Sequence, residues 1–121
     1  MILGIGVDLV DVARFDSKLA ETPNLAARLF AEDELADTGK LAGKFAAKEA
    51  FVKAVGNPTD MNWHDVRISK DALGKPSLVV SGAVARITEA AGIERFHLSI
   101  THDGGMACAF VVAEGSDGGA R

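Results

Sequence analysis

Residues 1–10, MILGIGVDLV, alternate as a strand, with Leu3, Ile5, Val7 and Leu9 on one face and Ile2, Gly4, Gly6, Asp8 and Val10 on the other. Asp11 is placed to cap a helix in which Val12, Phe15 and Leu19 keep helical spacing while Arg14 and Lys18 share a different face. Thr22-Pro23 reads as a second helix start, carried on by Leu25, Leu29 and Phe30; a further turn is expected over Glu32 to Leu35, and Gly39 interrupts it. The strongest helical run spans residues 40–55, with Gly56 as its stop. Asn57-Pro58 then opens an irregular loop to Trp63. Strands are expected over residues 64–69 and 77–80, joined through Gly74-Lys75-Pro76 as a hairpin. Ser81 caps a helix with Val84, Ile87 and Ala91 in register, ended by Gly92. Residues 96–101 and 106–113 form the last two strands around Asp103-Gly104-Gly105. The order β-α-α-α-β-β-α-β-β, ending in hairpins, predicts an α+β fold with an antiparallel sheet and a long central helix.

At 121 residues the chain has room for one domain with one core, read as residues 1–114 followed by a Gly-rich, disordered tail, 115–121. Its one cysteine, Cys108, excludes an internal disulfide and points to a reducing cytoplasm. No apolar run is long enough to span a bilayer, and the start shows no basic stretch followed by an apolar signal core. A net charge of −4 argues against general nucleic-acid binding, so an anionic partner must meet a local basic patch. Aromatics are only 6% of a chain dense in Ala and Gly, which gives the core little bulk and favours oligomerisation.

Gly4-Ile5-Gly6 invites a dinucleotide-binding reading, but position 9 is Leu, and Asp8 would repel a pyrophosphate. Glycines in a strand mark close approach by a ligand or by backbone, and Asp8 either serves that approach or only leaves the strand toward the next helix. On the long helix, a stripe centred on Leu41 takes in Phe45, Lys48, Val52 and Val55. The adjacent face holds Ala42, Ala46, Glu49, Lys53 and Gly56, where the small residues would admit a ligand or a second subunit. A Glu-Lys pair four residues apart also has a purely helix-stabilising explanation. Lys48, within the apolar stripe, either snorkels to solvent or meets an anion. His102 ends a strand with neither zinc-ligand nor hydrolase spacing around it. Asp8 and Glu49, two carboxylates on rigid elements, suit magnesium completed by phosphate oxygens and water, with Lys44, Lys48, Lys53 and His102 as the cationic side.

These segments resemble the holo-acyl-carrier-protein synthases, the small 4′-phosphopantetheinyl transferases. GIGVDLVDVARF is similar to that family's first motif, which implies a magnesium ligand at Asp8 and a carrier-binding arginine at Arg14. KFAAKEAFVKAVG is similar to its second motif, implying a metal-binding Glu49 and a phosphate-contacting Lys53. Gly74-Lys75-Pro76 and Ser99-Ile100-Thr101-His102 resemble loops lining the coenzyme A site. The likeness covers most of residues 1–113; Lys44, Gly56-Asn57-Pro58 and Met106 stand where the family often has Arg, Gly-Thr-Gly and an aromatic residue.

The resemblance implies Mg2+-dependent transfer of phosphopantetheine from coenzyme A to a serine of an apo acyl-carrier protein or carrier domain, releasing adenosine 3′,5′-bisphosphate. Asp8, Glu49 and Lys53 would be catalytic, with Glu49 the candidate base, and Lys44, Lys48, Gly56, Pro76, Thr101 and His102 would hold the coenzyme. Arg14, Lys18 and Arg28 would meet the acidic carrier, although without the resemblance a solvated helix face is the favoured explanation. The family's homotrimer with shared active sites is the expected assembly. A regulatory module that binds coenzyme A or a nucleotide without catalysis is the alternative, and a structural oligomerisation domain a third.

Overall fold

A computed structural model describes residues 1–37, 41–59 and 61–117 of the chain. Gly39, Lys40 and the last four residues of the expected tail lie outside the described residues. The chain runs as β1 (Ile2–Asp11), α1 (Val12–Glu21), α2 (Leu25–Leu29), α3 (Glu32–Ala36), α4 (Leu41–Val55), β2 (Val66–Lys70), β3 (Pro76–Val80), α5 (Gly82–Ala90), β4 (Arg95–Asp103) and β5 (Met106–Glu114). An antiparallel three-stranded sheet, ordered β1-β5-β4, and a separate β2-β3 hairpin embrace α4, as the α+β reading expects. No described helix is long and apolar enough to cross a membrane.

The Asp11 carboxylate accepts from the Arg14 backbone N–H at 3.1 Å and caps α1 as expected. Thr22-Pro23 does not start the next helix. Thr22 instead closes α1 by donating its N–H to the Lys18 carbonyl oxygen, and α2 begins after Asn24, whose positive φ of 67° reverses the chain. The expected strand at 64–69 starts two residues late, because Trp63–Asp65 forms a 3-10 turn capped by Asn62. Gly115, the first residue of the expected tail, is buried and exchanges backbone hydrogen bonds with Met1.

The main departure from the pattern concerns which faces meet. Of the apolar stripe centred on Leu41, Lys48 is fully buried, whereas Leu41, Phe45, Val52 and Val55 are only partly buried. The buried side carries Ala42, Ala46, Ala47, Ala50, Phe51 and Ala54. It packs on β1 and on the fully buried Ala107, Ala109, Val111 and Ala113 of β5. A Cβ on Gly4 would overlap the Ala54 carbonyl oxygen, and one on Gly6 the Ala50 carbonyl oxygen. The strand glycines therefore serve a close approach of helix backbone. Ala42 and Ala46 of the small face are covered by the chain's own sheet, whereas Glu49, Lys53 and Gly56 of the same face are not buried.

Candidate active site

The glycine contacts decide where Asp8 points. It shares the inward face of β1 with Gly4 and Gly6, beyond the close contact with α4, and there meets the next exposed turn of that helix. Lys53 donates to the Val7 carbonyl oxygen at 2.9 Å and to the Asp8 carboxylate at 3.2 Å. Glu49, one turn earlier, lines a cavity of about 560 Å3 together with Asp8, Arg14, Lys18, Phe45 and Trp63. Burial pushes the Glu49 carboxyl above its ordinary pKa, the Asp8 charge pushes it the same way, and Lys53 pulls it back. The two acids thus face one space in a single chain, with α1 supplying cations at the rim.

The donor set suits a hard divalent cation. The Asp8 charge that raises the cost of ionising Glu49 would be offset by a shared cation, and both side chains offer only oxygen. Among the described residues no cluster of three or more His, Cys, Asp or Glu could hold a metal. A cation at Asp8 and Glu49 would therefore draw its remaining ligands from substrate oxygens and water, the usual manner of magnesium.

The expected coenzyme residues separate. Pro76, His102 and Lys44 line a second cavity, of about 270 Å3, with Gly43, Lys70, Gly74 and Ile100. A Cβ on Gly43 would sit 2.9 Å from His102 Nε2, so the imidazole lies directly against the first turn of α4. Thr101 is exposed on β4, paired with Cys108 of β5. Gly56 ends α4 with a φ of 90° and open space around it. Arg28 lines a third cavity with Trp63 and His64, which shares Leu29 and Trp63 with the first.

Lys48 requires a correction. It cannot hold an incoming phosphate, because its ammonium is completely buried and donates to the Leu29 carbonyl at 2.8 Å, the Trp63 carbonyl at 3.0 Å and Glu34 Oε1 at 2.8 Å. Burial lowers its pKa, and the Glu34 hydrogen bond and charge oppose that shift. Lys44 is almost as fully engaged, donating to the Glu34 carbonyl at 2.7 Å and paired with Asp37 at 3.2 Å. Sequence reasoning passed over Glu34, which also accepts from the backbone N–H groups of Ala31 and Ile68. Its one signal was position: a carboxylate three residues after a helix start reaches back to a backbone N–H.

Comparison with known proteins identifies the family. The family model for the 4′-phosphopantetheinyl transferase superfamily matches residues 4–111. The holo-[acyl-carrier-protein] synthase of Clavibacter sepedonicus is 54% identical over 116 residues, 95% of this chain and 98% of that one. The crystal structure of the Neisseria meningitidis synthase superposes with a TM-score of 0.85 at 38% identity, covering 94% of this chain and 99% of that one. The Bacillus anthracis synthase in complex with CoA (3′,5′-ADP) gives 0.77 at 33% identity, over 96% and 99%. A match running from the first glycine of β1 through the core of β5, on a fold that brings both motif carboxylates to one cavity, places the chain in the 4′-phosphopantetheinyl transferase superfamily, as an enzyme of the holo-[acyl-carrier-protein] synthase family.

Proposed function

We propose that the chain transfers the 4′-phosphopantetheine arm of coenzyme A to a serine hydroxyl of an apo acyl-carrier protein or carrier domain. Magnesium would be held by Asp8 and Glu49, and adenosine 3′,5′-bisphosphate would leave. The observation that carries this reading is the convergence of Asp8 and Glu49 on one cavity that Arg14 and Lys18 also line, with Lys53 hydrogen-bonded to Asp8. The coenzyme A complex of the Bacillus anthracis relative supports the donor, and the names of the relatives support the acceptor.

Phosphoryl transfer asks a protein chiefly for in-line positioning and for neutralisation of charge. The serine oxygen forms a bond to the phosphorus bearing the pantetheine arm, and the bond from that phosphorus to the bridging oxygen breaks. Magnesium, when bound, supplies charge neutralisation at the non-bridging oxygens. Lys53 donates toward the charge that builds on the leaving phosphate. Glu49 takes the serine proton directly or through a water. Arg14 and Lys18 offer an acidic carrier a cationic edge on a chain of net charge −4. The cytoplasm is the proposed location, in keeping with the lone Cys108.

The cavity with Pro76 and His102 would take the nucleotide end of the donor. Because the two cavities are distinct in one chain, we place them together across the boundary between neighbours in a homotrimer.

Incubation with coenzyme A, magnesium and an apo carrier, read by intact mass, should show one phosphopantetheine added. Glu49→Gln and Asp8→Ala should each lower the rate by at least about 10²-fold with the circular dichroism spectrum unchanged. Near-normal transfer by either variant would remove the metal assignment. Coenzyme A binding without any transfer would favour the regulatory module instead.

A further inference from the structure

Lys70, at the end of β2, was no part of the expected site, yet it belongs to the cavity lined by Pro76 and His102. Strand register sets it directly opposite Pro76, and the turn between them is closed by its own bonds. The Asp71 carboxylate accepts from the backbone N–H groups of Leu73 and Lys75 at 2.9 Å each, and the Gly74 N–H donates to the Asp71 carbonyl. Lys70 and Pro76 are thus held side by side on a stiff hairpin. Gly43, Pro76 and Ile100 give the cavity apolar walls; its ionisable lining residues are Lys44, Lys70 and His102, with no carboxylate among those described. This lining sets two lysines and an imidazole beside apolar walls, while Asp33, Asp37 and Asp71 line the adjoining cavity that Lys44 and Lys70 share.

The two lysines differ in what they can still do. Lys44 is 2% exposed and its three donors are met by the Glu34 carbonyl, the Asp37 carbonyl and the Asp37 carboxylate. Lys70 is 38% exposed and is held by an ion pair with that same Asp37 carboxylate, at a long 3.5 Å. Of the two lysines on that carboxylate, Lys70 is the more exposed and the more loosely held.

We infer that Lys70 binds the phosphate on the ribose of the coenzyme, turning from Asp37 to the ligand, and so sets the preference for a donor carrying that phosphate over its 3′-dephospho form. The inference rests on the function proposed above. It identifies a specificity-determining cation in place of Lys48, which is buried, and Lys44, which is saturated.

The test compares kcat/KM for coenzyme A and for 3′-dephospho-coenzyme A in the full chain and in Lys70→Gln, Lys70→Arg and Arg67→Gln. Arg67, on the same hairpin, pairs with Asp33 and does not line the cavity, so it controls for a general loss of charge. Lys70→Gln should lower kcat/KM for coenzyme A by about tenfold, through KM, as expected for one lost charge-assisted contact. It should change the value for the dephospho donor by less than about twofold, and Lys70→Arg should recover most of the loss. Equal losses on both donors, an equal loss in Arg67→Gln, or no loss in Lys70→Gln would each overturn the inference. Absence of transfer by the unaltered chain would instead remove the parent reading, and the inference with it.

Discussion

The least expected residue pair is Lys48 with Glu34, an ion pair without solvent contact that joins α4 to α3, to the end of α2 and to the Trp63 carbonyl. Glu34 Oε1 takes the Lys48 ammonium and the Ala31 N–H, and Oε2 takes the Ile68 N–H, so the carboxylate is well satisfied. Such a pair adds little net stability over an apolar replacement, but losing one partner strands the other charge. Lys48→Met should therefore cost about 3–5 kcal/mol. The double variant Lys48→Met, Glu34→Gln should be more stable than Lys48→Met alone, because the unpaired charge is gone. Urea midpoints at neutral pH and fixed protein concentration decide this; a double variant no more stable than the single one contradicts it. The sequence left Lys48 between solvent and an anion, and the anion proved internal. Nothing local could name it: Glu34 lies fourteen residues away on a separate short helix, and the pairing exists only once α3 folds back on α4.

At the scale of elements, nearly all the strands and helices were legible from period and punctuation, because Gly56, Gly92 and the Asp103-Gly104-Gly105 turn stop them where a positive φ is needed. The buried faces were less so. Large side chains on the Leu41 line mark an apolar surface, yet the interior is reached by the alanine face, since only there can α4 come down onto Gly4 and Gly6. Glycine in β1 and alanine in β5 and α4 form one steric unit. Burial of bulk gives way to closeness, and closeness fixes Glu49 relative to Asp8. Gly6→Ala tests it. The new methyl meets the Ala50 carbonyl oxygen, which is backbone and cannot rotate aside, so α4 must move as a body. A cost of about 1–3 kcal/mol is expected, with transfer falling further than stability alone explains because the two carboxylates shift apart. Thermal unfolding and the transfer rate of the same preparation measure both. Unchanged activity in a folded Gly6→Ala protein would show that the spacing is not set by this contact.

For the whole molecule, the outward face of the three-stranded sheet is the unfinished part. Ile5, Val7 and Leu9 are 60%, 52% and 61% exposed, and Phe110, paired with Val7, is 44% exposed. Arg95, His97 and Glu114 border the same sheet as a polar edge. A contiguous apolar patch with a polar rim is the usual mark of an assembly surface. The alternation of β1 disclosed these residues but not their fate, since a single sequence does not say whether a face is covered by its own chain or by a copy. The separate positions of the Asp8–Glu49 and Pro76–His102 cavities give the copy a reason to be there: each would complete its neighbour's site. That arrangement has a quantitative consequence. Glu49→Gln chains lack the acid, His102→Ala chains lack the imidazole, and each preparation alone should transfer poorly. Dissociated, mixed one to one and reassembled, they form boundaries at random, and about a quarter of these bring an intact Glu49 to an intact His102. Transfer should therefore return to about a quarter of the unaltered rate. If both residues served one site within a single chain, every site in the mixture would keep one defect, and mixing would restore nothing.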